Sequence, residues 1–131
     1  MLLDSSGLLC LLDAHERRHT GAVSLYRAAV RRLTHNYVLA EFVALTVARR
    51  VPKVKSLAFV SRLLGSAEVE VSWVDETLHQ EAMALLQARL DKDWSLCDAV
   101  SFVLMQQRGE TGALTTDHHF EQAGFVRLLE P

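Results

Sequence analysis

The sequence predicts an α/β fold with a mainly parallel sheet of about five strands. Short apolar runs that suit buried strands alternate with longer segments of helical spacing along the whole chain. Such alternation is typical of a parallel sheet that is covered by helices. The 131 residues suffice for one domain with a sizeable apolar core, so we expect a single domain over residues 1–131.

The first half of the chain is predicted to combine two short strands with four helices. Residues 4–7 form a turn and helix-start signal, residues 34–36 form a good helix cap, Pro52 suits the first turn of a helix, and Gly65 ends one. The predicted elements are a strand at 1–3, helices at 8–12 and 21–32, a short strand within 28–33, a helix from the cap to about residue 50, and a helix at 53–64.

The second half is predicted to hold three strands and three helices. Val69, Val71 and Trp73 alternate with polar residues, which indicates a half-exposed strand near an edge of the sheet. The predicted elements are a strand at 69–73, helices at 76–90 and 95–108, a turn at 109–112, a strand at 113–116, a short helix at 118–123, and a last strand at 125–129.

Composition excludes several classes of protein. The formal net charge of −2 argues against a protein that coats nucleic acid regardless of sequence, because such a protein would be strongly basic. No apolar run approaches the roughly 20 residues that a membrane span needs, and the N-terminus lacks the basic start of a signal peptide. Cys10 and Cys97 belong to no CxxC pair and have apolar sequence neighbours, so we expect buried thiols. These features predict a soluble cytoplasmic protein.

Four acidic residues are the candidate metal ligands. Asp4 and Asp117 follow predicted strands, and ligands bind at the carboxyl ends of strands in parallel sheets. Asp98 begins a helix, and Glu41 interrupts an apolar helix that we expect to be buried. Mg²⁺ and Mn²⁺ require such clusters of carboxylate oxygens. The chain also allows ordinary explanations: each aspartate could cap a helix, Asp98 in a capping box with Ser95, and Glu41 could lie on a narrow exposed stripe.

Several other residues are candidate contacts for a substrate. Arg49 and Arg50 could bind RNA phosphates or could be solvated at a helix end. His118 and its neighbour His119 could contact a substrate or simply occupy the first turn of a short helix. No Cys or His at zinc-ligand spacing accompanies them, so we expect no zinc site. Trp94 could stack on a base or pack in the core.

The chain resembles the PIN domain family, and especially the VapC-type ribonuclease toxins of bacterial toxin–antitoxin modules. Four segments carry the resemblance over nearly the whole chain, in order: Leu3-Asp4-Ser5-Ser6, and residues 37–42, 94–102 and 115–125. The resemblance implies an α/β/α sandwich and a Mg²⁺ or Mn²⁺ site. The metal ligands that it implies are Asp4, Glu41, Asp98 and Asp117. Three further residues are candidates for hydrogen bonds to these ligands or for contact with substrate: Ser5, Ser6 and Thr116. It also implies homodimers and an antitoxin partner. Cys97 stands where a Thr is common in the family.

We therefore expect a metal-dependent endoribonuclease that hydrolyses RNA phosphodiester bonds and acts as the toxin of such a module. Two alternatives remain open within the family: a catalytically weak scaffold that binds RNA or a partner protein, and a nuclease of RNA processing outside any toxin module. An aspartyl-nucleophile phosphatase would need a second acid two residues after Asp4, where Ser6 stands. The sequence does not specify the RNA target.

Overall fold

The computed structural model describes residues 1–131 and contains one five-stranded sheet and seven helices. The strands are β1 (Leu2–Leu3), β2 (Arg32–His35), β3 (Val69–Ser72), β4 (Gly112–Leu114) and β5 (Val126–Arg127). The helices are α1 (Ser5–Leu12), α2 (His19–Ala28), α3 (Asn36–Ala48), α4 (Lys53–Gly65), α5 (Glu76–Ala88), α6 (Leu96–Arg108) and α7 (His119–Gln122). No helix is long and apolar enough to cross a membrane.

The strand order is β3-β2-β1-β4-β5, and all four pairs of neighbouring strands are parallel. In the central strand, Leu2 pairs with Leu33 on one side and with Ala113 on the other. Because every strand points the same way, all carboxyl ends meet at one edge of the sheet. This arrangement confirms the predicted parallel sheet, and β3 lies at an edge as its alternating pattern predicted.

A separate apolar core covers each face of the sheet. One core packs Phe102 and Phe120 with residues of α5, α6 and the sheet. The other packs Phe42 and Leu8 with residues of α1, α3 and α4. The two layers of helices confirm the α/β/α sandwich, in which long apolar side chains from both layers shield the two-residue strand β1 from water.

The structure corrects the predicted boundaries around β2. Helix α2 ends at Ala28, and β2 extends over Arg32–His35, so Thr34 and His35 also belong to a strand. The pairing of β2 with β3 extends to His35, so the strand runs directly into the predicted helix cap. His35 still caps α3, because its Nδ1 accepts a hydrogen bond of 3.3 Å from the Val38 amide.

The prediction that the helix around Glu41 is buried was wrong. Only one side of α3 packs into the core, through Val38, Leu39, Phe42 and Thr46. The opposite side is exposed and is largely apolar, so sequence composition alone suggested burial. Its residues are Ala40, Glu41, Ala44, Val47 and Ala48.

Helix α1 approaches the end of β4 so closely that only glycine fits at residue 7. A Cβ on Gly7 would lie 2.0 Å from the Leu114 carbonyl oxygen, which no side chain could tolerate without moving the backbone. The helix also begins at Ser5, three residues earlier than its apolar pattern predicted. This close packing brings Ser5 and Ser6 to the end of the sheet beside Asp4.

Candidate active site

The four predicted acidic residues meet at the carboxyl edge of the sheet. Asp4 directly follows β1, and Asp117 lies three residues beyond the end of the neighbouring strand β4. Asp98 lies in the first turn of α6, and Glu41 lies in the second turn of α3. Parallel strands and the starts of their connecting helices share this edge, which explains why residues far apart in sequence come together here.

Asp4 is the most deeply buried of the four carboxylates. Its side chain is almost inaccessible, and its Oδ2 accepts hydrogen bonds from Thr115 Oγ1 at 2.7 Å and from Ser6 Oγ at 3.3 Å. Burial raises the pKa of Asp4 to about 7, and the nearby charges of Glu41 and Asp98 add to the rise, against the hydrogen bond from Thr115. Asp4 makes no side-chain cap bond to α1, so capping does not explain it.

Thr115 is the residue that sequence reasoning missed. It is fully buried, and its Oγ1 donates to Asp4 and accepts a 3.0 Å bond from the Asp117 amide. Ser6 Oγ lies 3.2 Å from the same hydroxyl and accepts from the Thr116 amide at 3.0 Å. Thr116 therefore contributes its backbone here. A hydroxyl residue at a strand end shortly before an aspartate was the available signal.

Glu41 lies on the exposed side of α3 but turns its carboxylate into the site. Ser5 Oγ donates a hydrogen bond to Glu41 Oε1. Cys97 also contacts this carboxylate, and the pKa of its thiol is raised by burial first and then by the charges of Glu41, Asp4 and Asp98. The expectation that both thiols are buried holds for Cys10 and is wrong for Cys97, which is only partly buried beside the carboxylates.

Asp98 has the predicted capping role and a further contact. Its Oδ2 accepts from the Ser95 amide at 3.1 Å while Ser95 Oγ accepts from the Asp98 amide at 3.0 Å, which completes the capping box. The same Oδ2 lies 3.0 Å from His119 Nδ1. Burial raises the pKa of Asp98, and the charge of Asp117 adds to that rise. The capping role of Asp98 therefore does not account for its contact with His119.

Asp117 and the two histidines form the outer side of the site. Asp117 Oδ1 accepts a 2.9 Å bond from the His119 amide, so this carboxylate also caps the start of a helical turn. Its oxygens lie 3.4 Å from His119 Nδ1 and 3.6 Å from His118 Nδ1. Both imidazoles therefore lie beside the carboxylates.

A cleft of about 680 Å³ opens from the carboxylates toward the ends of α1 and α3. The residues that line it include Asp4, Ser6, Glu41, Asp117, Arg18 and Arg49. Arg18 pairs with Glu16 at 2.5 Å and was not singled out from sequence. Arg49 lines the cleft and Arg50 does not, a difference between adjacent arginines that the sequence could not show.

Trp94 packs edge-on against Phe102 in the core, so the base-stacking alternative is not supported.

The donor set fits a hard divalent cation. The charges of Glu41 and Asp98 raise the pKa of Asp4, and the charge of Asp117 raises the pKa of Asp98; a bound cation would relieve such repulsion between carboxylates. Carboxylate oxygens are the ligands that Mg²⁺ and Mn²⁺ prefer. The hydroxyl groups of Ser5 and Thr115 bind carboxylate oxygens from behind, which is how second-layer contacts orient metal ligands.

Comparison with known proteins identifies relatives of this chain. The sequence model of the PIN domain matches residues 1–126. The 23S rRNA-specific endonuclease VapC20 from two strains of Mycobacterium tuberculosis is 30% identical over 129 residues, which cover 98% of this chain and 97% of the relative. The crystal structure of Mycobacterium tuberculosis VapC20, described as a sarcin–ricin loop cleaving toxin, superposes with a TM-score of 0.87 at 29% identity and covers 99% of this chain and 98% of that chain.

Proposed function

Because the chain belongs to the PIN domain family, we propose that it is a metal-dependent endoribonuclease and the toxin of a toxin–antitoxin module. The observation that carries the proposal is the convergence of Asp4, Glu41, Asp98 and Asp117 at one edge of the sheet. Three carboxylates near a buried aspartate are costly without a cation, and phosphodiester hydrolysis is a reaction that such cation sites support.

The proposed cofactor is Mg²⁺ or Mn²⁺, held by the four carboxylates. When bound, the cation supplies Lewis acidity and lowers the pKa of a coordinated water. Ser5 and Thr115 keep the carboxylates of Glu41 and Asp4 oriented through their hydroxyl groups. No side-chain nucleophile is assigned, since the cluster contains no serine–histidine pair oriented for attack.

The arginines of the cleft are proposed to contact the RNA backbone. Arg49 stands at the end of α3 and Arg18 at the start of α2, and both line the cleft together with Asp117 and His118. One guanidinium group can donate two parallel hydrogen bonds to a phosphate, so arginines suit the binding of a polyanion that must approach a carboxylate cluster. Without such cations, repulsion from the acidic residues would oppose binding.

The proposed substrate class is ribosomal RNA, because the relative VapC20 is a 23S rRNA-specific endonuclease. A substrate of this kind would place the activity in the cytoplasm. An antitoxin is the proposed protein partner, since the matched VapC20 structure is described as a toxin. We expect the chain to inhibit growth when it is expressed alone, and co-expression of a small adjacent gene that encodes the antitoxin should relieve that inhibition. Inhibition that no such neighbour relieves would favour a nuclease outside a toxin module.

A homodimer is also proposed, formed through the apolar side of α3 and α4. Val54 is 79% exposed, Val47 is 53% exposed and Leu57 is 47% exposed, and all three lie on these two packed helices. Leu57→Glu should shift the mass in light scattering from a dimer to a monomer. Leu90→Glu is the matched control, because Leu90 is an exposed leucine elsewhere on the surface.

The decisive experiment is RNA cleavage by chelator-treated protein, with Mg²⁺ or Mn²⁺ added back. Asp98→Asn should abolish cleavage without unfolding the chain, because asparagine retains the capping oxygen. Asp93→Asn, at an exposed position in the loop before α6, is the control. The RNA panel contains ribosomal, transfer and messenger RNA.

Each result discriminates between the functions under consideration. Cleavage that requires a metal ion and disappears in Asp98→Asn supports the nuclease. Metal binding with no cleavage of any RNA, or cleavage that persists in Asp98→Asn, would contradict the proposed role of the cluster. Absence of both metal binding and cleavage would favour the scaffold that binds RNA or a protein.

A further inference from the structure

We propose that Asp98, Asp117, His118 and His119 form a second cation position that selects a transition metal such as Zn²⁺ or Co²⁺ over Mg²⁺. The proposal rests on the proposed metal-dependent function and deepens it, because Asp98 and Asp117 would serve both positions. It assigns a role to two adjacent imidazoles that an all-carboxylate site for Mg²⁺ does not use.

The spacing of the ligand atoms is the first argument. One ligand atom each from Asp117, His118 and His119 lies within 4.8 Å of the others. His119 Nδ1 is 3.0 Å from an oxygen of Asp98 and 3.4 Å from an oxygen of Asp117, and His118 Nδ1 is 3.6 Å from the latter's other oxygen. Two ligands that each lie about 2.1 Å from a tetrahedral ion are about 3.4 Å apart, which is close to the three nitrogen–oxygen distances observed here.

The chemistry of the donors is the second argument. Imidazole nitrogen favours Zn²⁺, Co²⁺ and other transition metals, whereas Mg²⁺ takes oxygen ligands almost exclusively. Asp4 and Glu41 offer only oxygen, so the inner side of the cluster suits Mg²⁺. The outer side combines two nitrogens with two carboxylates, which is a ligand set of the kind found in zinc sites.

The position of His119 is the third argument. Its side chain is only 20% exposed, and its backbone amide is bound to Asp117, so its imidazole is held against the two carboxylates. His118 is 65% exposed and can rotate toward an ion. The sequence predicted no zinc site because no ligand stands at the usual spacing. The missing ligand, Asp98, is 21 residues away and comes from α6.

A simpler role for His119 is to orient Asp98 by hydrogen bonding, and it predicts different behaviour. A histidine that only positions a carboxylate should affect the binding of every cation that this carboxylate holds. A histidine that ligates should affect Zn²⁺ and Co²⁺ and leave Mg²⁺ nearly unchanged. His118 makes no hydrogen bond to Asp98, so it separates the two roles still more clearly.

The experiment is calorimetric titration of chelator-treated protein with Zn²⁺ and, separately, with Mg²⁺. His118→Gln and His119→Gln should each weaken Zn²⁺ binding roughly tenfold or more while the Mg²⁺ affinity stays close to that of the wild type. His15→Gln is the control, because His15 is exposed in the loop between α1 and α2. In wild-type protein, Zn²⁺ should also shift the ¹⁵N resonances of the His118 and His119 rings.

Two outcomes would overturn the proposal: equal Zn²⁺ affinity in the wild type and both glutamine variants, or parallel losses of Zn²⁺ and Mg²⁺ binding. RNA cleavage with Mg²⁺ alone reports separately on the proposed nuclease. A failure of cleavage with intact, histidine-dependent Zn²⁺ binding would therefore reject the nuclease and keep the second cation position. The reverse pattern would reject only the cation position.

Discussion

The Thr115 hydroxyl lies 2.7 Å from Oδ2 of Asp4 and joins the carboxyl ends of two neighbouring strands. Thr115 is fully buried, so no water competes for this hydrogen bond. Thr115 Oγ1 also accepts a hydrogen bond from the Asp117 amide. One hydroxyl therefore sets the orientation of one acidic residue and the backbone position of another.

Replacing Thr115 by valine should weaken both the fold and the metal site. Valine keeps the shape but leaves the Asp4 carboxylate and the Asp117 amide without their partner, which should cost about 1–3 kcal/mol of unfolding free energy. Divalent-cation affinity should fall as well. Urea unfolding and calorimetric titration measure the two effects. Thr115→Ser is the control and should retain most of both; equal losses in the two variants would argue that the methyl group matters, not the hydroxyl.

Gly7→Ala should destabilise the protein by about 3 kcal/mol, because α1 would have to move away from β4. The added Cβ would lie 2.0 Å from the Leu114 carbonyl oxygen and 2.7 Å from its carbon. Gly21→Ala, in the first turns of α2, has no atom within 4 Å of the new Cβ and should be neutral or slightly stabilising. Thermal unfolding of the two variants gives the comparison. Similar melting temperatures for both would contradict the close approach of α1 and β4.

Asp4→Asn should stabilise the metal-free protein at pH values above 7. The pKa of Asp4 is raised from 3.8 to about 7, so the folded state holds a proton that the unfolded state loses between these values. Stability from this group is thus present at low pH and is lost as the pH rises, by at most about 4 kcal/mol. Unfolding with chelator present at pH 5 and pH 8 measures the difference. A variant that is less stable than the wild type at pH 8 would contradict the raised pKa.

His35 should produce the opposite pH dependence. Burial lowers the pKa of His35 from 6.5 to about 4, so the ring is neutral in the fold, and its Nε2 lies 2.8 Å from Ser101 Oγ. The unfolded state therefore binds the proton first as the pH falls. Stability from His35 is complete above 6.5 and declines toward pH 4, by at most about 3 kcal/mol.

The His35 effect is measured best in the Asp4→Asn background, where the opposing titration of Asp4 is absent. Unfolding free energy should fall between pH 7 and pH 4.5 in Asp4→Asn, and His35→Asn should remove much of that slope. Asparagine can still cap α3 through its side-chain oxygen, so the helix is preserved. His15→Asn serves as the control for an exposed histidine. An unchanged slope after His35→Asn would show that His35 is protonated at its ordinary pKa in the fold.

Local patterns in the sequence were sufficient to predict the sheet and the positions of three acidic residues. Hydrophobic periodicity reflects which side of an element faces the core, so alternating strands and helices could be identified without tertiary information. Asp4 and Asp117 follow strands in the sequence, and parallel strands end at a common edge. Asp98 was predicted in a capping box, which is formed entirely by residues 95–98.

Tertiary packing decided the features that depend on distant segments. Composition could not show that α3 packs on one side only, so the helix around Glu41 was expected to be buried, whereas its Glu41 side is exposed. The end of β2 at His35 follows from its pairing with β3, a distant segment that the local sequence does not show. Arg49 and Arg50 are adjacent in sequence, yet only Arg49 lines the cleft, because the chain turns at Arg50 with a φ of 58°.

By itself, the sequence determined which strands form the sheet and which carboxylates stand at their ends, since both depend on residues that are close together in the sequence. Only the tertiary structure decided which groups surround those carboxylates. Thr115 reaches Asp4 across 111 residues, and His119 reaches Asp98 across 21. Side-chain contacts of this kind depend on how helices and strands pack in space, and a single sequence carries no local signal for that packing.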